Sequence, residues 1–244
     1  WNFGEVANNA LFTQATQGQL DGTGIGAFND RLRDAVHGGG PFDEDHRIMQ
    51  GFGSGAFSDL NGLDTRSEAD RRADYLHRVD LVKLGLAGNL KDYTLTTYDG
   101  KTVSGAQLDY NGQGAGFASQ PAENVNYVDA HDNETLFDLV TYKMPADAPM
   151  DHRVRMSLIS QASVALSQSP SFWASGTEML RSKSLDRDSY NSGDHFNVID
   201  WTMKDNGFGR GLPVKSKNGA AWDHMRPLLE NPDLKPTPEQ IDTS

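Results

Sequence analysis

The chain has 244 residues, with 22 Lys and Arg against 34 Asp and Glu, so its formal net charge is -12. This balance argues against a protein that binds nucleic-acid phosphates or an anionic membrane surface through a basic face. There is no Cys, which excludes disulfides, zinc–thiolate sites and cysteine nucleophiles and leaves the cellular compartment open. No apolar run approaches the roughly 18 residues that a membrane helix needs. A neutral ligand or a protein partner fits this composition better.

The first half of the chain predicts one strong helix among loops. Trp1 to Gly22 is compatible with a short helix, and the stretches on to Leu63 are rich in Gly, Ser, Asp and Asn, as loops are. Ser67 with Asp70 forms a capping box ahead of an apolar stripe that reaches Leu86, and Gly88 can end that helix. Residues 93–120 are expected to form turns and short extended pieces, with a small hairpin around Asp99-Gly100.

The second half has the rhythm of a parallel α/β fold. Asn124 to Val128 alternates like a strand, and a helix is expected from Glu134 to Lys143. Asp151 can cap a second helix, and an aromatic, apolar strand is expected over 169–176. Residues 185–211 and the tail after Pro227 read as loops or connecting segments. In such folds the chemistry lies at the carboxyl ends of the strands, where His131-Asp132-Asn133 stands.

The sequence gives little support for a nicotinamide-cofactor site or for a metal site built on histidine. Gly22 to Ala27 matches G-x-G-x-x-A, but no hydrophobic strand precedes it, so a flexible turn is preferred to a nicotinamide-cofactor site. The seven His are scattered and no H-E-x-x-H occurs, so we expect no metal site built on histidine.

The residue patterns leave two questions open. In His131-Asp132-Asn133, spacing alone favours Asp132 or Asn133 as a helix cap, whereas the functional interpretation is a carboxylate beside an imidazole that holds sugar hydroxyls. Aromatic and polar residues after residue 170 are compatible with a carbohydrate site or with a solvated, internally bridged loop. The aromatic set, with Trp1, is Phe172, Trp173, Tyr190, Phe196 and Trp201. The polar set is Arg181, Asp186, Arg187, Asp188, Asn191, Asp194 and Asn197.

Three long motifs resemble the pullulanase and limit dextrinase group of debranching enzymes, within the α-amylase glycoside hydrolase family. The first runs through residues 22–43, the second is Asn126-Tyr127-Val128 with His131-Asp132-Asn133 and Thr135-Leu136, and the third covers residues 180–194. They resemble, respectively, a long signature stretch, the seventh-strand region and the loop after the eighth strand. The resemblance extends from Trp1 to about Asp205. His37 and His195 depart from it, standing where Arg and Trp are expected.

The resemblance implies hydrolysis of α-1,6 branch linkages in pullulan, amylopectin or limit dextrins with retention of configuration. Retention uses a nucleophile and an acid/base about 5–5.5 Å apart. By resemblance Asp132 is a third carboxylate, which stabilises the transition state. Implied substrate-binding residues are Trp1, His131, Asn133, Arg181, Asp188 and Asn191. No cofactor is required. Calcium is allowed, although no D-x-D-x-D-G loop is present.

The implied fold is α/β, a partial (β/α)8 TIM barrel from the end of the fifth strand through the eighth-strand loop. Residues 1–226 would form the C-terminal half of the catalytic barrel, and residues 227–244 would begin the segment that leads to its last helix. Trp1 resembles the Trp of a Gly-Glu-Gly-Trp motif, so the acid and the nucleophile are expected upstream of this chain. The partner is a branched α-glucan, with no nucleic acid and no membrane, and the expected location is secreted or on a bacterial cell surface. The alternative is a noncatalytic glucan-binding or degenerate module.

We expect the isolated 244-residue chain to have no debranching activity, because it holds one of the three carboxylates by this resemblance. The measurement is reducing-end release from pullulan. Release well above a buffer blank would contradict the prediction.

Overall fold

The computed structural model describes residues 16–244, which form α-helices and very short strands joined by long loops. The helices are α1 (Asp30–His37), α2 (Glu68–Leu86), α3 (Leu136–Lys143), α4 (Met150–Ala165), α5 (Asp194–Asn197), α6 (Lys215–Asn218), α7 (Trp222–Leu229) and α8 (Pro238–Asp242). The strands are β1 (Ala27–Phe28), β2 (Thr94–Thr96), β3 (Thr102–Ser104), β4 (Asp109–Tyr110), β5 (Gln113–Gly114) and β6 (Asn124–Val125). Within residues 16–244 no helix is both long enough and apolar enough to cross a membrane.

Several local predictions are confirmed. Helix α2 begins after Ser67, whose Oγ accepts a hydrogen bond from the Asp70 N–H at 3.1 Å. Strands β2 and β3 form an antiparallel hairpin around Asp99-Gly100. Gly22 and Gly24 both have left-handed backbone, in keeping with the turn predicted there. The cap expected at Asp151 was wrong: α4 is preceded by Pro149, and Asp151 lies in its first turn.

Three extended segments lie side by side in parallel. Strand β1 pairs with β6, and Asn126 forms a parallel bridge with Ser171. The segment predicted as a strand over 169–176 is reduced to this bridge, in which the Pro170 carbonyl accepts from the Asn126 N–H, and the chain enters a 3-10 turn at Thr177. Most of residues 16–244 is helix and loop, and these three segments do not by themselves show the predicted half barrel.

A buried asparagine network joins the parallel segments to the helices. The Asn126 Oδ1 accepts hydrogen bonds from the side-chain amides of Asn29 and Asn124 at 2.8 and 2.9 Å. The Asn126 Nδ2 donates to the Gly85 carbonyl at 2.9 Å, and Asn29 caps α1 through the Leu32 N–H. All three asparagines are fully buried. Side chains thus supply cross-links where the strands are only two residues long.

Helix α3 lies where the two apolar clusters of the core meet. Leu136 and Val140 pack in a cluster with α1 and α2, whereas Phe137 packs in a second cluster with α4 and Phe208. Every residue of α3 except Tyr142 is buried. The position of this helix fixes the turn that precedes it.

Two buried carboxylates anchor α3. The Asp129 Oδ2 accepts from the Leu136 N–H at 3.1 Å and from the Thr177 Oγ1 at 2.6 Å. The Asp138 Oδ2 accepts from the Lys183 N–H at 2.7 Å, and its Oδ1 accepts from the Ser182 hydroxyl. Desolvation by burial raises the pKa of each carboxyl to about 6, against the hydrogen bonds that favour its charged form. These bonds tie both ends of the loop after residue 171 to one helix.

The raised pKa values predict a stability that falls as pH rises from about 4 to about 6. In this window the folded state still holds protons that an unfolded aspartate, with a pKa near 3.9, has released. Replacing Asp138 with Asn removes the pH dependence that this carboxyl contributes. The difference in the free energy of unfolding, wild type minus D138N, should therefore fall by up to about 3 kcal/mol between pH 4 and pH 7. Urea denaturation across this range measures it. Exposed Asp99, with its pKa lowered to about 2 by Lys101, gives a D99N control that should be flat here. A flat difference for D138N would contradict the prediction.

Asn126→Ala should strongly destabilise the fold. It removes the acceptor of the Asn29 amide, whereas the Asn124 amide keeps the Ser169 hydroxyl and the Gly85 carbonyl keeps the Gly88 N–H. Because a buried group left without a partner costs about 1–3 kcal/mol, we expect a loss of about 2 kcal/mol or more in the free energy of unfolding by urea denaturation. Asn111→Gly is the control, because Asn111 is exposed with φ 52° and glycine adopts that backbone freely. Equal effects of the two changes would refute the role of the network.

Candidate functional site

The turn between β6 and α3 presents the predicted carboxylate to solvent. The side chains of His131 and Asp132 are 66% and 65% exposed, and the His131 Nε2 lies 3.4 Å from the Asp132 Oδ1. The helix cap is Thr135, whose Oγ1 accepts from the Asp138 N–H at 3.2 Å. The interpretation of Asp132 or Asn133 as the cap was therefore wrong. Their side chains do not cap α3, and the functional interpretation of the triplet stays a prediction.

Asn133 holds the turn in an unusual conformation. Its φ is 61°, in the left-handed region, which asparagine tolerates better than most residues do. Its carbonyl accepts a hydrogen bond from the Lys183 Nζ at 2.8 Å. Its side-chain Oδ1 accepts from the Arg187 Nη2 at 3.4 Å. The backbone next to Asp132 is thus held by two cations from one loop.

Arg187 joins three loops around this turn. Its Nη2 also donates to the Pro41 carbonyl at 2.7 Å, and its Nη1 lies 3.1 Å from the His46 Nε2. The Nε lies 3.8 Å from the Oε1 of Glu134, which is buried. Loop 38–49, the turn and the loop after residue 180 therefore meet at one guanidinium.

His37 and Lys143 bind backbone carbonyls of the segments next to the turn. Desolvation and the nearby Arg33 and Lys143 lower the pKa of His37 to about 3, so its ring is neutral and can donate to the Val128 carbonyl through Nε2. Lys143 donates to the carbonyls of Gly38 at 2.9 Å and Met49 at 2.6 Å, and burial lowers the pKa of Lys143 to about 8. His37, one of the departures from the family pattern, thus binds the segment that leads into the turn.

The contacts of the other predicted binding residues do not include Asp132. Arg181 donates to the backbone carbonyls of Ser175 at 3.1 Å and Asn197 at 2.6 Å, so it braces the loop. The Asp188 Oδ2 lies 3.3 Å from the Lys217 Nζ, and Asn191 is exposed in the 3-10 turn Ser189–Asn191. Trp1 lies outside the described residues. The roles of these four residues in substrate binding stay predictions.

Sequence reasoning overlooked Lys183 and gave Arg187 no separate role. Both lie about 50 residues from Asn133 along the chain, and no local spacing relates them. Asp186 shapes the same loop, accepting from the Asp188 N–H and the Asn218 side chain, both at 2.9 Å. The polar set therefore contains an internal framework as well as candidate binding groups.

A cleft of about 160 Å³ lies at loop 48–66 and the start of α2. It is lined by Gln50, Leu60, Asn61, Arg66 and Asp74, among others, and by none of residues 131–133. The Arg66 guanidinium is already bridged to Asp64 and Asp74. The exposed turn, rather than this cleft, carries the candidate chemistry. Over residues 16–244 no group of three or more His, Cys, Asp or Glu is placed to hold a metal ion.

Comparison with known proteins supports the resemblance. Residues 203–244 match the family model of the C-terminal region of pullulanase-type alpha-1,6-glucosidases. The chain is 46% identical over 242 residues to chloroplastic pullulanase 1 of Arabidopsis thaliana, covering 99% of this chain and 25% of that protein. It is 49% identical over 214 residues to a pullulanase of Klebsiella aerogenes, covering 87% of this chain and 19% of that protein.

Solved structures agree. The crystal structure of Klebsiella pneumoniae pullulanase complexed with maltotriose superposes with a TM-score of 0.88 at 45% identity, covering 95% of this chain and 22% of that one. The chain spans a quarter or less of the length of these relatives. Over the part that it spans, the chain is similar in sequence and in fold to pullulanases of a plant and of bacteria.

Proposed function

We propose that this chain supplies one catalytic carboxylate, Asp132, to a retaining hydrolase of α-1,6-glucosidic branch linkages. The observation that carries the proposal is an exposed aspartate beside an exposed imidazole, on a turn whose Asn133 is held by Lys183 and Arg187. The relatives are named pullulanases, and one was crystallised with maltotriose. A branched α-glucan is accordingly the proposed substrate.

The chemistry asks for a fixed negative charge near the sugar. Glycoside hydrolysis passes through an oxocarbenium-like transition state, and a carboxylate already in place stabilises the developing positive charge without reorganisation. Asp132 meets this need because its neighbour Asn133 is immobilised while its own side chain faces solvent. His131 is placed to bind a sugar hydroxyl next to it.

The nucleophile and the acid/base are proposed to come from outside the described residues. Retention needs two carboxyls about 5–5.5 Å apart. Near Asp132, the carboxyl groups of Asp129, Glu134 and Asp138 are buried and engaged with protein donors or with Arg187. They are poorly placed to reach a sugar. The single exposed carboxylate on this turn is therefore proposed to form an active site together with carboxyl groups from elsewhere in the protein.

A partial (β/α)8 barrel is the proposed frame. The parallel order of β1, β6 and the bridge at Ser171 supports it, because successive barrel strands pair with their neighbours in chain order. Asp132 follows the middle segment, where the carboxyl ends of barrel strands carry chemistry.

A noncatalytic glucan-binding module is the second candidate. Tyr190 and Trp201 are 72% and 66% exposed, and Trp173 is 41% exposed. Flat exposed rings can stack on sugar faces, and this does not require a catalytic carboxylate. Activity separates the two candidates.

Asp132→Asn in the protein as its gene encodes it should lower kcat on pullulan by about 100-fold or more, with a smaller change in KM. The amide keeps the shape and removes the charge. Reducing-end release gives kcat, and thermal unfolding should show an unchanged midpoint because the side chain is exposed. Exposed Asp99→Asn is the matched control, with expected full activity. A fully active D132N enzyme would contradict the role of Asp132, and wild-type protein that binds maltotriose without hydrolysing pullulan would favour the binding module.

A further inference from the structure

We infer that Lys183 and Arg187 are positioning residues that set the direction of the Asp132 carboxylate by holding Asn133. This inference rests on the proposed function of Asp132. We propose no contact of either side chain with Asp132 or with substrate. Both act on the adjacent residue, one on its backbone and one on its side chain.

Lys183 connects helix α3 to the turn. Its backbone N–H donates to the Asp138 Oδ2 at 2.7 Å, and its Nζ donates to the Asn133 carbonyl at 2.8 Å. The residue is 3% exposed. A lysine costs free energy to bury unless its charge is satisfied, so this placement favours a specific use of the ammonium group. Desolvation by burial lowers the pKa of Lys183, and buried Asp138 and Asp186 are the acidic groups that most oppose this effect.

The backbone around Lys183 is strained, which supports a positional role. Leu180, Ser184 and Leu185 all have left-handed backbone, with φ of 54°, 54° and 63°. A leucine avoids this region, and both leucines are held there with fully buried side chains. Strain of this kind persists only where the surroundings fix it, and it gathers at functional sites. Here it directs Lys183 back toward α3 and the turn.

Arg187 provides the second restraint. Its guanidinium contacts the Pro41 carbonyl, His46 and the Asn133 Oδ1, so it ties the turn to loop 38–49, as Lys183 ties it to α3. The left-handed Asn133 would otherwise be free to relax toward extended backbone, and this would rotate the Asp132 side chain. Catalytic groups act within tolerances of about 0.5 Å and 10–20°. Misplacement of about 1 Å can lower a rate about 100-fold.

The test uses K183M and R187M in the protein as its gene encodes it. Each should lower kcat on pullulan about 10- to 100-fold with less than a threefold change in KM, because ground-state contacts with the glucan remain. Lys183→Arg, which keeps charge and N–H donors, should recover most of the kcat lost in K183M. Arg187 is about one-third exposed, so R187M should fold even if K183M does not.

Arg153→Met is the matched structural control. Arg153 is a fully buried cation that donates to the backbone carbonyls of Thr141 and Pro145, away from the turn. Its loss should lower the unfolding midpoint and leave kcat per folded molecule within twofold. If K183M and R187M also leave kcat within twofold, the inference is overturned.

A comparison in the D132N background separates this inference from the proposed function. If the two cations act through Asp132, adding K183M or R187M to D132N should change the residual rate less than twofold, measured over hours with a fluorescent reducing-end label. Equal fold losses with and without Asp132 would overturn the positioning role and leave the function of Asp132 intact. An unchanged kcat in D132N alone would instead refute the proposed function.

Discussion

The anchoring of α3 by buried aspartates is the constraint on which the rest of the site depends. Asp129 holds the first N–H of the helix and the Thr177 hydroxyl together, and Asp138 holds the loop at Ser182 and Lys183. Both carboxyls pay a desolvation cost that burial imposes, visible in pKa values raised to about 6. These hydrogen bonds fix the start of α3 and therefore the end of the turn that precedes it. An exposed side chain on that turn can then have a defined direction.

Side-chain hydrogen bonds replace strand pairing in this part of the fold. The parallel strands β1 and β6 pair over two residues, too few to define a register firmly. Asn29, Asn124 and Asn126 bond to one another in a buried cluster and fasten the strands to α1 and α2. Such a cluster is specific because each amide must meet its donors and acceptors at set positions.

Local sequence signals predicted the local structure well. Helix α2 and the hairpin at Asp99-Gly100 depend on near neighbours, such as the Ser67 cap, and both formed as predicted. The longer strand expected over 169–176 did not form, and its pairing with Asn126 is limited to the Pro170 carbonyl and the Phe172 N–H. The helix cap is Thr135 rather than the predicted Asp132 or Asn133, because Asp, Asn and Thr residues lie close together there and each can cap a helix.

Long-range contacts were beyond sequence reasoning. Through the resemblance the motifs predicted a site at His131-Asp132-Asn133, but they gave no sign that Lys183 and Arg187 bind Asn133 from about 50 residues away. Buried cations on backbone carbonyls leave no periodic signal, and Arg181, which looked equally suited to bind substrate, is turned toward the carbonyls of Ser175 and Asn197. Only packing decides which of several nearby cations serves which loop.

The acidic residues around α3 show how a fold separates structural from chemical groups. Asp129 and Asp138 accept hydrogen bonds from protein donors, and Glu134 is buried beside Arg187. A carboxylate so engaged has little capacity left for a ligand. Asp132 stays about two-thirds exposed beside an equally exposed imidazole, although potential donors lie close by. Because Lys183 and Arg187 bind Asn133 rather than the Asp132 carboxylate, the oxygens of Asp132 stay exposed, as the proposed role beside a polyhydroxylated substrate requires.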